Sequence, residues 1–177
     1  MRQTFVISMT IVVVLLLTAM IGATPRRAGG EAKARIGTYD SRAIAIAYAA
    51  SDFNPVGAKM KEYEAARQAG DDAKVRELDA WGQKHQRQLH RQGFGRVPVA
   101  DLLEHVKDRL PELAARLGVE AIVFECTYIG PNVETVDVTL ELVKLYSPSE
   151  KTMKTAREVM KHDPVDLDEI EREGHDH

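Results

Sequence analysis

Leu117-Gly-Val-Glu-Ala-Ile-Val-Phe-Glu-Cys-Thr-Tyr128 holds the strongest strand pattern in the 177-residue chain. A leucine-rich helical pattern ends at Leu117, and Gly118 is the natural residue just past a helix end because it accepts positive φ without steric cost. Ile122, Phe124, Cys126 and Tyr128 then alternate with Ala121, Val123, Glu125 and Thr127. Period-2 alternation over eight residues, closed by the turn residues Gly130-Pro131-Asn132, predicts a strand with its apolar face on a core. Ile36 to Tyr39 and Thr135 to Thr139 read as two shorter strands. Leu117–Tyr128 would then be the middle member of a small sheet built from distant segments.

Outward from that sheet the pattern is helical. Asp40 or Ser41 caps a segment in which Ile44, Ile46 and Tyr48 alternate with alanines. A continued strand competes there, but alanine density favours a short helix. Asn54-Pro55 is a helix start, and Val56, Met60 and Tyr63 follow at helical spacing up to Gly70. Asp71-Asp72 opens a second helix with a narrow apolar stripe of Val75, Leu78, Trp81 and Leu89. The short link between the two predicts an antiparallel helical hairpin over about 54–92, with arms on the order of 20–30 Å long. Gly93-Phe94-Gly95 breaks that helix. A broad leucine stripe resumes from Pro98 to Leu117, where Pro111 must kink or split the ladder because it has no N–H to donate. After the last strand, Asp137 or Thr139 caps one more helix, and Pro148-Ser149 starts another that ends before Pro164. The expected class is therefore α+β and helix-dominated, a small β-sheet with a protruding helical hairpin.

The termini differ from this body. Phe5 to Ala23 is apolar and free of charge after Met1-Arg2-Gln3, and small residues precede Thr24-Pro25. This is the layout of a secretory signal peptide; an uncleaved membrane anchor is the competing reading, because about 20 apolar residues also span a bilayer. Residues 24–35 read as a linker and 36–161 as the domain. His162 to His177 holds seven acidic residues against one arginine, a composition that predicts a disordered acidic tail. With one cysteine no intrachain disulfide forms, so an exported chain must be held by packing or oligomerisation. A net charge of −3 offers no argument for nucleic acid as a partner.

No constellation spells out catalysis, and no cofactor motif is present. Cys126 could act as nucleophile only if His105 came close to it; its place on an apolar strand face favours packing. His162, His175 and His177 lie in a tail without a scaffold for a defined metal site. Lys84 to Arg96 contains Lys84, Arg87, Arg91 and Arg96 with no acidic residue, either a solvated helix face or a docking patch for an anionic partner. Trp81 either packs the two arms together or offers a hydrophobic contact to a client.

Two separated segments resemble the Skp/OmpH family of periplasmic chaperones. Ile36-Gly-Thr-Tyr-Asp-Ser-Arg-Ala-Ile44 followed by helix is similar to that family's first strand and helix. Leu117-Gly-Val-Glu-Ala-Ile-Val-Phe-Glu125, then Val136-Asp-Val-Thr139 and a helix, looks like its closing strands and last helix. The resemblance implies a homotrimer, with a small β-barrel shared by three subunits and helical arms enclosing unfolded outer-membrane proteins. It implies a non-enzymatic, ATP-independent holdase of the periplasm, with Lys84, Arg87, Arg91 and Arg96 as client contacts. The alternative is a structural or adaptor protein of the cell envelope, held to the membrane by residues 5–23.

Overall fold

The computed structural model describes residues 33–173. The signal or anchor segment, most of the linker and the last two histidines lie outside the described residues.

β1 (Ala34–Thr38) is the central strand of a three-stranded sheet. β2 (Ala121–Val123) and β3 (Val133–Asp137) flank it, and both run parallel to it. Two expectations change here. Leu117–Tyr128 is not the middle of the sheet, and its strand is three residues long rather than eight. The cause is the partner strand: Thr38 pairs with Val123 in the last register position, and β1 then turns into a helix. Phe124 and the residues after it have no neighbouring backbone left to pair with, whatever their alternation. The supposed linker is also two residues shorter, since β1 begins at Ala34.

α1 (Ser41–Ala49) follows, capped by Asp40, whose carboxylate accepts from the Arg42 N–H. Ala43, Ile44, Ala45, Ala47 and Tyr48 are all buried, so this helix is enclosed on nearly every side. That enclosure explains the alanines, whose small side chains let neighbouring helices approach closely. α2 (Val56–Ala69) and α3 (Asp72–Phe94) contact each other and are joined at Gly70, whose φ of 70° is the left-handed conformation glycine adopts without a Cβ clash. α1 contacts α3, and Gln88 and Gln92 of α3 donate to the Asp101 carboxylate.

The leucine-rich stretch before β2 does split ahead of Pro111. It forms α4 (Ala100–Leu103), a 3-10 segment (Glu104–Arg109) and α5 (Leu110–Leu117). Pro111 sits in the first turn of α5, where a missing N–H costs nothing. Gly118 ends α5 at φ 62°, and the Arg35 guanidinium donates to the free carbonyls of Leu117 and Gly118. α6 (Thr139–Lys144) starts with the Thr139 N–H bonded to the Asp137 carboxylate. α7 (Glu150–Val159) is capped by the Ser149 hydroxyl. It packs on α1 and α6.

One buried core unites these pieces: Ile44 of α1, Val99 and Leu102 around α4, Val106, Leu113 of α5, and Leu142, Val143 and Tyr146 after β3. The Tyr146 hydroxyl donates to the Leu102 carbonyl at 2.8 Å, and burial holds its pKa well above the ordinary phenol value. Arg42 is buried as well, because the Asp40 carboxylate receives it at 2.6 Å and the His162 carbonyl accepts from it at 2.9 Å.

The acidic end of the chain is ordered further than its composition predicts. α8 (Leu167–Glu173) packs on α3 and buries Ile170. Gly95 makes that contact possible: a Cβ there would stand 2.5 Å from the Leu167 side chain and 2.9 Å from the Arg91 carbonyl. Leu167 and Ile170, one helical turn apart, outweigh the charge of the surrounding residues.

Candidate functional site

α1, α2, α3 and α7 enclose a groove of about 940 Å³. α1 supplies Ala45, Ile46 and Ala49, short side chains that leave room at the base. α2 supplies Val56, Met60 and Tyr63, one helical turn apart or nearly so, which places them on a single face. α3 contributes Leu78, Trp81, His85, Leu89 and Phe94, and α7 contributes Thr155, Glu158 and Val159. Much of this lining is apolar yet open to solvent. Met60 is 54% exposed, Phe94 53% and Val56 38%. Large apolar side chains that stay exposed within one concavity mark a contact surface rather than a core.

The aromatic groups of the groove are ordered by one another. The Trp81 indole lies nearly parallel to the His85 imidazole, with ring centroids 4.9 Å apart and planes 14° apart. His85 Nε2 is 3.1 Å from Asn54 Oδ1. The Asn54 amide nitrogen donates to the Ala49 carbonyl and its oxygen accepts from the Val56 N–H, so the oxygen is the atom facing the ring. Nε2 of His85 is therefore the donor. Burial lowers the His85 pKa below the ordinary imidazole value. His90 meets Phe94 edge-on at 5.5 Å. Trp81 therefore lines the groove, half-buried against a histidine of its own helix.

Lys84, Arg87 and Arg91 are exposed and fall within an arc of about 60° on α3. The arc lies roughly 150° around the helix from Leu78, His85 and Leu89 and meets the groove only at its outer lip, near Gln83 and Phe94. Arg96 does not join this stripe. It lies beyond the end of α3, paired with Glu125 at 2.9 Å and with its guanidinium 5.8 Å from the Phe124 ring centre. The four basic residues picked out by composition thus form one stripe of three and a separate surface ion pair.

Cys126 lies outside the strand and is half-buried, not sealed in the core. It borders a hollow of about 410 Å³ with Thr38, Arg96, Phe124 and Thr135. His105 stands elsewhere, its ring tilted by 32° against those of Tyr48 and Phe53 with centroids 5.2 and 5.4 Å away. The residues lining the hollow do not include it. Among the described residues, no three His, Cys, Asp or Glu side chains gather as a metal site would require, and no helix is long and apolar enough to cross a membrane.

Met60, Phe94 and Val159 had no functional reading in the sequence. Met60 carried helical spacing alone, Phe94 stood between two helix-breaking glycines and Val159 carried no signal; the packing of four helices brings them to one groove. The chain matches no protein-family model, no curated protein and no solved structure.

Proposed function

We propose that the protein is a non-enzymatic binding protein of the cell envelope, a holdase that takes apolar segments of unfolded clients into the groove between α1, α2, α3 and α7. The observation that carries this reading is the open apolar lining, with Met60 and Phe94 each about half exposed in one concavity. Methionine suits the task because its unbranched, polarizable side chain adapts to varied partners. The client segment is apolar with flanking acidic residues. Lys84 and Arg87 border the lip and favour negative charge there, and Arg96 adds little because Glu125 already neutralises it. The short link at Gly70 and the contact between α2 and α3 support reading the pair as antiparallel arms.

The resemblance to the Skp/OmpH family supports the same function, and with it export to the periplasm and a homotrimer. Aggregation of an unfolded β-barrel protein, followed by light scattering at low salt, tests the proposal. The protein should slow aggregation in proportion to its concentration, and unchanged aggregation at excess protein would defeat the reading. The adaptor alternative draws on the charge-free run from Phe5 to Ala23. N-terminal sequencing of the protein from its host separates the two, since an intact Met1 favours the anchor.

A further inference from the structure

We infer that the Trp81–His85 stack makes the groove proton-sensitive, so that it holds its apolar occupant at neutral pH and releases it as His85 takes up a proton. The inference rests on the groove being the binding site. His85 lies in the groove wall, stacked on Trp81 and bonded through Nε2 to Asn54 at the start of α2. With Nε2–H already donated to Asn54, the incoming proton goes to Nδ1 and leaves a full positive charge on a ring that lines an apolar surface. An occupant that covers this ring removes water from it, which costs far more for imidazolium than for neutral imidazole.

Other charged groups around the groove leave this balance in place. Lys59 on α2 is paired with Glu62, and Glu158 on α7 with Lys161. Tyr63 on α2 faces the Arg67 guanidinium, which lies 5.9 Å from its ring centre. Asp79 lies about 120° around α3 from His85. His90 and His162 complete the titratable groups of the lining. The sign follows by linkage. Burial already lowers the pKa of His85 in the free protein, and an apolar occupant lowers it further. Binding is therefore at full strength above the ordinary imidazole pKa of about 6.5 and weakens as pH falls through the lowered value. Folding stability carries the same sign, being lost as pH falls through that value.

Trp81 is the chain's single tryptophan, so its emission reports on this stack directly. A protonated imidazole against an indole quenches fluorescence and a neutral one does so weakly. The experiment titrates Trp81 emission from pH 8 to 4.5 in the wild-type protein, in His85→Gln and in His105→Gln, a histidine outside the groove lining. In parallel it measures the affinity of the uncharged probe N-phenyl-1-naphthylamine at pH 7.5 and 5. The wild type should show an inflection below the ordinary imidazole range and a probe affinity at least about threefold weaker at pH 5. His85→Gln should lose both, and His105→Gln should keep both. An inflection that persists in His85→Gln, or a probe affinity independent of pH in the wild type, would overturn the inference. If the probe bound at neither pH while the inflection remained, the groove reading itself would have failed, and the inference with it.

Discussion

Replacing Met60 and Phe94 together by alanine removes the two most exposed large apolar side chains of the groove while leaving its walls in place. Fully burying such a side chain is worth about 1.5–3 kcal/mol. Met60 is 54% exposed and Phe94 53%, so close to half of that gain is still available to a bound segment. Each side chain then contributes roughly 0.8–1.5 kcal/mol to binding, and the pair roughly 1.5–3 kcal/mol. At about 1.4 kcal/mol per decade this predicts a dissociation constant weaker by roughly 10- to 150-fold. The buried half of each side chain belongs to the fold, so the melting temperature should fall by about 3–12 °C, and affinities are compared well below the transition of both proteins. The assay is fluorescence anisotropy of a labelled apolar peptide with acidic flanks, titrated with each protein. Equal affinities for wild type and double variant, both fully folded at the assay temperature, would refute the reasoning.

Lys84→Glu combined with Arg87→Glu should weaken binding of the same peptide several-fold at low salt. Raising the salt to about 0.5 M should bring wild type and variant together, because a Debye length below 10 Å screens exposed charges. Gly95→Ala places a Cβ 2.5 Å from Leu167 and 2.9 Å from the Arg91 carbonyl. The Arg91 carbonyl cannot swing aside, so the end of α3 must shift and the Leu167 and Ile170 side chains repack with it, at a cost of about 1–3 kcal/mol, seen as faster amide exchange over residues 165–173. Arg42→Met should lower unfolding free energy in urea by about 3–5 kcal/mol, because it leaves the Asp40 carboxylate without its partner at 2.6 Å. An unchanged denaturation midpoint in Arg42→Met would show that this pair does not hold the corner between β1 and α1.

Local chemistry made much of the fold legible. Asp40 and Asp137, each one of two capping candidates in the sequence, accept a backbone N–H, and Ser149 does so at the helix start that Pro148-Ser149 marks. Gly70 and Gly118 take the positive φ expected just past a helix end, and Pro111 splits the leucine-rich stretch. Long-range pairing was not legible. Ala121 to Tyr128 alternates like a strand throughout, but only the reach of β1 decides how much of it pairs, and β1 stops opposite Val123. The parallel orientation of all three strands is likewise a property of the connections between them. α8 was hidden by composition, since two apolar residues among acids carry its contact with Gly95. The groove was hidden because its residues come from four helices, and none of the four marks it alone. Charge clustering drew attention to Lys84 through Arg96, yet the fold sends Arg96 to Glu125 and turns the other three away from the groove floor.

The central claim, that clients sit in the groove, is tested most directly by site-specific photocrosslinking in the intact protein. A photoreactive phenylalanine analogue is introduced at position 60 in the groove, at 87 on the basic stripe, and at 128 beyond β2, where Tyr128 is 83% exposed. Each variant is then irradiated with an unfolded β-barrel client. Strong crosslinks are expected from position 60, weaker ones from 87 and none above background from 128. Suppressed aggregation with crosslinks from 128 and none from 60 would contradict the claim.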